Sequence, residues 1–376
     1  MYKQTVLKYN IQVNVLQRRG AKHRMRQFFK NSRRGDLKEA TKGLANPHFI
    51  MLFSNQQQFE SHVRELQQLY PQVPSIGCIG MSYDSENIED KGVGIIAFYD
   101  DIQVSTNVLE EASKMPVKYI QRLQEDIKKV NANQIDTVCI DFCSGNDACV
   151  LTTIYTVLKP LGISLMGGTG DAGKVSANGK IYQDAVAYAL IKNKKGKIKT
   201  YKENIYRKMK DYRFVASKTD KSKYIIGALN GRPAKKVYQD ILHVTEKEIL
   251  TQTFKNPFGK LNGDETYIVS IKDVQGDALA CFRQVNDSDV LALLELRDYR
   301  EITKETIEKI KKDFKKPSVI FSVNCLFRYK LFHQGNYMKQ YLKEMGTLGI
   351  YTGFVGYGEH YNNQFVNQSM SCVVFE

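Results

Sequence analysis

The sequence predicts an α+β protein with mixed α/β stretches, in two domains, each a largely antiparallel or mixed sheet packed with helices. Three observations lead there. Apolar runs of strand length alternate irregularly with segments of helical spacing. Tight-turn signals join several runs into hairpins, Asn178-Gly179 most clearly, because both centres of a primed turn need positive φ. The chain of 376 residues, 42% hydrophobic and 25% charged, is long and apolar enough for two cores.

The elements follow in order. FIMLFS (49–54) reads as a buried strand, and Asn55 caps a helix running to Tyr70 with Phe59, Val63, Leu66 and Leu69 at helical spacing. PQVPSIGCIG (71–80) gives a loop and a short strand, and VGIIAFY (93–99) another strand. A helix over 115–131, a strand over 137–142 and a helix over 146–158 come next. GISLMGGTGDAG (162–173) is a strand entering a glycine-rich loop, and DAVAYALI (184–191) a strand after the hairpin. Residues 192–223 are polar, basic and poor in pattern, and are read as the domain boundary. Beyond them, strands are expected at 224–229, 266–271, 290–296, 318–323, 350–355 and 369–375, with helices at 231–242, 301–315 and 336–346. The expected layout is a basic arm (1–40), a first domain (41–200) and a second (201–376). No internal repeat stands out.

Charge and cysteines bound the function classes. The net charge of +15 is concentrated, since residues 1–50 carry 12 Lys/Arg against 2 Asp/Glu and residues 192–223 carry 13 against 3. Seven scattered cysteines without a CxxC pair point to free thiols in a reducing, cytoplasmic compartment. MYKQTVLKYN is not a secretory signal, and the apolar runs fall short of the roughly 20 residues of a membrane helix. Cys139, Cys143 and Cys149 lack metal-site spacing, the histidines are dispersed, and no metal or other cofactor is expected.

Four stretches carry candidate chemistry. In GGTGDAG (167–173), Gly167 and Gly168 can expose successive backbone N–H groups to an anion, and Asp171 can hold an amine or hydroxyl; the plainer reading is a permissive turn. In FSVNCLFR (321–328), Arg328 near Cys325 would favour thiolate, and His333 or His360 would be the nearest base for a thiol enzyme; the plainer reading is a buried thiol, with Arg328 offering its fork to the carboxylate of a ligand or of Glu359. The arm LQRRGAKHRMRQFFKNSRRG (16–35), with eight basic residues, no acid and Phe28-Phe29, suits a nucleic acid or an anionic surface, against the plainer reading of a solvated helix. In GFVGYGEHYNNQFVNQSM (353–370), Gly353, Gly356 and Gly358 allow close approach, and Glu359, Asn362, Asn363 and Asn367 offer hydrogen bonds suited to a small polar molecule; the plainer reading is a hairpin with a polar tip.

Taken in order, GGTGDAG with its hairpin, FSVNCLFR and GFVGYGEHYNNQFVNQSM resemble the FIST family, a module of an N-terminal and a C-terminal FIST domain. SIGCIG (75–80), LNGRPAKKVYQDIL (229–242) and NPFG (256–259) extend the likeness from about residue 40 onward. The resemblance implies an intracellular small-ligand sensor in signal transduction, with amino acids or similar metabolites as ligands, a signalling protein as partner and no catalysis. It also implies a stand-alone bacterial member, since the chain has no room for an F-box or an output domain. On this reading Gly167, Gly168, Asp171, Cys325, Arg328, Gly356, Tyr357, Glu359, Asn362 and Asn367 line the site, and Arg328 with Glu359 would grip an α-amino acid at its two charges. The sequence departs from the family pattern at Met81-Ser82, Tyr361 and Gln368-Ser369.

Overall fold

A computed structural model describes residues 25–376 except 90, 115 and 146. Its main body is built three times from one plan. The first unit comprises β1 (Gln27–Ser32), α1 (Leu37–Thr41), β2 (Phe49–Ser54), α2 (Phe59–Leu69), β3 (Ser75–Ile79), β4 (Met81–Asp84), β5 (Ile88–Glu89) and β6 (Val93–Phe98). The second comprises β7 (Ile102–Leu109), α3 (Ile120–Lys129), β8 (Thr137–Cys143), α4 (Asp147–Leu158), β9 (Ser164–Thr169), β10 (Lys174–Ala177), β11 (Lys180–Gln183) and β12 (Val186–Asn193).

The third unit opens with β13 (Ile198–Asn204) and is then interrupted. The insertion runs through β14 (Tyr206–Asp220), β15 (Ile225–Leu229), β16 (Arg232–Pro233), α5 (Ala234–Leu242), α6 (Ile249–Gln252), β17 (Phe258–Asn262), β18 (Glu265–Val269), β19 (Ile271–Gln275), β20 (Ala278–Cys281) and β21 (Val290–Leu296). The unit resumes with α7 (Tyr299–Asp313), β22 (Val319–Cys325), α8 (Leu326–Gln334), α9 (Met338–Gly346), β23 (Ile350–Gly356), β24 (Glu359–Tyr361), β25 (Gln364–Val366) and β26 (Ser369–Phe375).

The pairing makes the repetition explicit. The three six-stranded sheets run β1-β6-β2-β3-β10-β11, β7-β12-β8-β9-β24-β25 and β13-β26-β22-β23-β4-β5. In each, a parallel pair joined through helix (β2/β3, β8/β9, β22/β23) sits at the centre. The chain then leaves its sheet and adds a hairpin to the edge of another: β4-β5 beside β23, β10-β11 beside β3, β24-β25 beside β9. The three sheets are thus laced into a ring with pseudo-threefold order. Only GCIG (77–80), GGTG (167–170) and GFVG (353–356) betray it in the sequence.

The inner faces of the three sheets meet in one core. Around its axis Phe53, Phe142 and Phe354 form a near-equilateral triangle, with ring centroids 5.3, 5.0 and 5.2 Å apart. The central strands are apolar on both faces, as strands covered on both sides must be. In β2, for example, Met51 and Phe53 enter the shared core while Ile50 and Leu52 pack under α1 and α2. Helices α3 and α4 cover the second sheet from outside, and α7, α8 and α9 the third. The inserted eight-stranded sheet has its own core with α5, around Phe214, Tyr238 and Phe258.

These features match the α+β expectation in class, and several elements fall where the sequence puts them. Asn178 and Gly179 both take positive φ, 49° and 77°, between β10 and β11. Two expectations are corrected. Residues 192–223 are not a patternless link but hold β13 and the 15-residue β14. The described part of the basic arm is not a helix. Residues 27–32 form β1 against β6, with Phe28 and Phe29 half-buried on two cores. Residues 16–24 of the arm lie outside the described residues. Residues 206–296 form the inserted sheet, and 319–375 return to sheets shared with the first half of the chain.

Candidate functional site

Three of the four sequence stretches that carry candidate chemistry, with SIGCIG, meet where the chain crosses between sheets. The Asp171 N–H donates to the Ile79 carbonyl (2.8 Å), the Thr169 N–H to Gly358 (2.9 Å) and the Tyr357 N–H to Thr169 (2.9 Å). The Tyr357 hydroxyl donates to Asp171 Oδ2 at 2.9 Å. Cys325 ends β22 at the same level, since it pairs with Gly356 in register. All are at the carboxyl ends of the parallel strands, the usual place for ligands in sheets of this kind.

The pseudo-threefold order shows what is special about the third crossing. Ser82 stands opposite Phe354 on one edge, Val175 opposite Cys78 on another, and Glu359 opposite Gly168 on the third. A carboxylate therefore occupies the inward position that valine and serine hold elsewhere. The position opposite it must be glycine, because a Cβ on Gly168 would lie 2.6 Å from the Gly358 carbonyl oxygen and 3.0 Å from Val323.

Glu359 is completely buried. Its Oε2 accepts from the Ser369 hydroxyl at 2.9 Å and from the Ser369 N–H at 3.3 Å, and the Cys325 thiol adds a further hydrogen bond. Its Oε1 has no partner among the described residues, and no lysine or arginine among them pairs with it. Burial pushes this carboxyl up to about 8, with Ser369, Cys325 and the field of His360 offsetting only part of the cost. Burial and the neighbouring Glu359 push the Cys325 thiol well up, although its sulfur accepts the N–H groups of Gln368 and Phe327. Gln368 bends the chain with φ 54° and ties its Nε2 to the Thr253 carbonyl of the insertion at 3.3 Å. Its Oε1, Asn367 Nδ2 and Ser270 Oγ are also buried without partners among the described residues.

Arg328 is not part of this cluster. Successive strand residues face opposite sides, so Cys325 faces Glu359 while Asn324 faces α8 and α9. Arg328, one turn beyond Asn324, follows it: its Nε donates to Asn324 Oδ1 at 3.0 Å and its Nη2 to Glu203. The guanidinium lies over Phe332 and Tyr341, at 4.3 and 5.2 Å. Hydrogen bonds continue from Asn324 to Tyr83 (2.6 Å), Tyr83 to Ser322 (2.8 Å) and Ser322 to Tyr351 (2.8 Å). Arg328 Nη1 and Glu203 Oε2 have no partner among the described residues. The expected Arg328–Glu359 grip is therefore corrected to two clusters on opposite faces of one sheet, and Arg328 does not favour a Cys325 thiolate.

The remaining expected residues divide. Asn362 is committed to structure, for it turns the β24-β25 hairpin at φ 55° and exchanges hydrogen bonds with the Leu165 backbone at 2.8 and 3.1 Å. Gly356 packs beside Val323. Tyr357 is 45% exposed and faces Asp171 instead of Glu359. His360 stands on the other face of β24, opposite Gly167, with Nδ1 2.6 Å from Asp141 Oδ2. His333 lies in the last turn of α8, its ring 5.9 Å from that of Tyr329.

Sequence reasoning missed Glu203, Ser369, Thr253 and the inserted sheet's side of the site. That side carries Phe254 and Phe282, whose rings lie 4.7 and 5.1 Å from Phe327, and Arg283, which donates to the Phe365 carbonyl and stacks 4.5 Å over Tyr267. Lys202 also spans the seam, to Glu265 at 3.0 Å and Gln364 at 2.6 Å. Gln368-Ser369, visible as a departure from the family pattern, was the available signal for the inner half.

Comparison with known families returns two adjoining matches. The model of the FIST N domain matches residues 48–232, and that of the FIST C domain residues 234–362. No curated protein matches the chain. The junction of the two matches falls inside the insertion, between β16 and α5. No helix among the described residues is long and apolar enough to cross a membrane.

Proposed function

Since the chain belongs to the FIST family, whose domains are sensory and point to small-ligand binding in signalling, we propose that the Glu359 cluster is its ligand-binding centre. The ligand is an amino acid or a similar amine-bearing metabolite, bound without chemical conversion and reported to a signalling protein. One observation carries this reading: Glu359 is fully buried, pairs with no lysine or arginine among the described residues and keeps Oε1 unpartnered. A buried carboxylate is costly unless an opposite charge and hydrogen bonds compensate it. A ligand ammonium supplies both, with Gln368 Oε1 as a further acceptor. Arg283, which donates to the Phe365 carbonyl of the same hairpin, takes the place of Arg328 as the cation proposed to meet a ligand carboxylate.

The absence of catalysis is part of the proposal. A thiol nucleophile must be available as thiolate, whereas burial and Glu359 hold Cys325 protonated. The six described cysteines are all free and buried, which suits the cytoplasm where we place the protein.

A thermal-shift screen of the protein against amino acids and simple amines, with Glu359→Gln alongside, tests the reading. A ligand at about 100 times its Kd adds about 2.7 kcal/mol and raises Tm by a few degrees. The expected result is a shift for at least one amine-bearing compound that disappears in the variant. An equal shift in Glu359→Gln, or none with any amine, would overturn the assignment.

A further inference from the structure

The polar cluster is continuous with an aromatic rim supplied by both sides of the seam. Phe327 follows Cys325 by two residues and donates its N–H to that sulfur. Phe254 follows Thr253, whose carbonyl holds Gln368. The Phe282 N–H donates to the Ser270 carbonyl at 3.0 Å, and the next residue, the Ile271 N–H, reaches Thr253 Oγ1 at 3.0 Å. Phe254 and Phe282 each pack on Phe327, yet Phe282 remains 42% exposed. Beneath them, Gln368 Oε1 and Ser270 Oγ are buried without partners among the described residues. Lys272 and Lys330 hold their ammonium groups 6.0 Å from the Phe282 and Phe327 rings, so the outer side of the rim is cationic.

The order from inside to outside is therefore carboxyl, aromatic rings, cations. From this order, and resting on the function proposed above, we infer that the ligand is an α-amino acid with a large apolar side chain, which enters between the inserted sheet and α8. Its ammonium meets Glu359, its side chain lies against Phe254, Phe282 and Phe327, and its carboxylate faces outward to Arg283, Lys272 and Lys330. A simple hydrophobic amine suits the rim less well, since it would pass two lysines with no negative charge to offer them. A polar or acidic side chain would be stripped of water against three phenyl rings without compensation.

Isothermal titration of the full chain with glycine, aspartate, leucine, phenylalanine and phenethylamine tests this. The expected result is at least tenfold tighter binding of leucine or phenylalanine than of glycine or aspartate, and weaker binding of phenethylamine than of phenylalanine. Phe282→Ala should erase most of the gain over glycine. Phe282→Leu, which keeps an apolar side chain at the position, should retain it. If glycine or aspartate binds as tightly as phenylalanine, or the gain survives Phe282→Ala, the inference fails and the Glu359 centre stands. If no amino acid and no amine binds, the Glu359 assignment fails and takes this inference with it.

Discussion

The two faces of the third sheet carry two buried polar clusters built on opposite principles. On the face toward α8 and α9, a cation and an anion are buried together: Arg328 pairs with Glu203, bonds Asn324 and lies on two aromatic rings. On the face toward β24, a carboxyl is buried alone among a thiol, a hydroxyl and amides, and rises to about 8 in consequence. The first arrangement neutralises its own charge and holds the sheet to its helices. The second is relieved only by a held proton, which a ligand ammonium would displace. Burial of an ionisable group does not by itself mark a binding site; what matters is whether its counter-charge is already inside the protein.

The largest expected effect tests the self-sufficient face. Arg328→Ala strands Glu203 in the interior, and breaking a buried pair in this way costs about 3–5 kcal/mol. Chemical denaturation should register that loss. Replacing Arg328 and Glu203 together by methionine should recover most of it, because no charge is then left unpaired. Equal destabilisation by the single and double variants would mean that packing, and not charge pairing, carries this face.

The next effect separates the faces by pH. The Glu359 carboxyl titrates near 8 in the folded protein, against an ordinary value of 4.5. The folded state therefore holds its proton through the window between those values while the unfolded chain has released it. Stability contributed by this group is fully present below about 4.5 and is lost as pH rises through about 8. The loss is on the order of a few kcal/mol, reduced by whatever local relaxation solvates the carboxylate. Glu359→Gln should flatten the decline between pH 5 and 8.5 in denaturation experiments, whereas an unchanged slope would show that Glu359 is ionised in the resting protein.

Much of the fold and part of the site could be read from the chain, for physical reasons that can be named. FIMLFS is apolar on both faces because its strand is covered on both, and Asn178-Gly179 marks a turn because few other pairs accept two positive φ values. Glu359 and Cys325 are both legible as site candidates and do touch. Nearness in sequence suggests Arg328 beside them, but strand alternation sends Asn324 and Cys325 to opposite faces, and Arg328 goes with Asn324. Residues 192–223 hid two strands because their side chains are lysine-rich on exposed faces. In β13, Ile198, Thr200, Tyr201 and Glu203 are buried, while the lysines between them are exposed or half-exposed and break the apolar pattern. The threefold plan was invisible because pairing geometry preserves it, whereas the residues agree only at the glycines of GCIG, GGTG and GFVG. Arg283, Phe254 and Phe282 had no local signal. They matter only because the insertion folds back over β25 and α8.

The smallest expected effect sharpens where the ligand face ends. Tyr357 belongs to the same glycine-rich stretch as Glu359, and the sequence alone gives both the same role. Its hydroxyl instead donates to Asp171 at 2.9 Å near the surface, while Glu359 turns inward to Cys325 and Ser369. The Tyr357 hydroxyl, burdened by partial burial and by the Asp171 charge, is held up to about 12, so the bond persists across the accessible pH range. Removing it in Tyr357→Phe should cost about 0.5–1 kcal/mol, the value of a partly solvated hydrogen bond. It should leave the affinity for any ligand that depends on Glu359 within about twofold, a difference of roughly 0.4 kcal/mol. A loss of tenfold or more with unchanged stability would extend the binding centre outward from β24 to Asp171, and would make the crossing loops themselves part of the ligand contact.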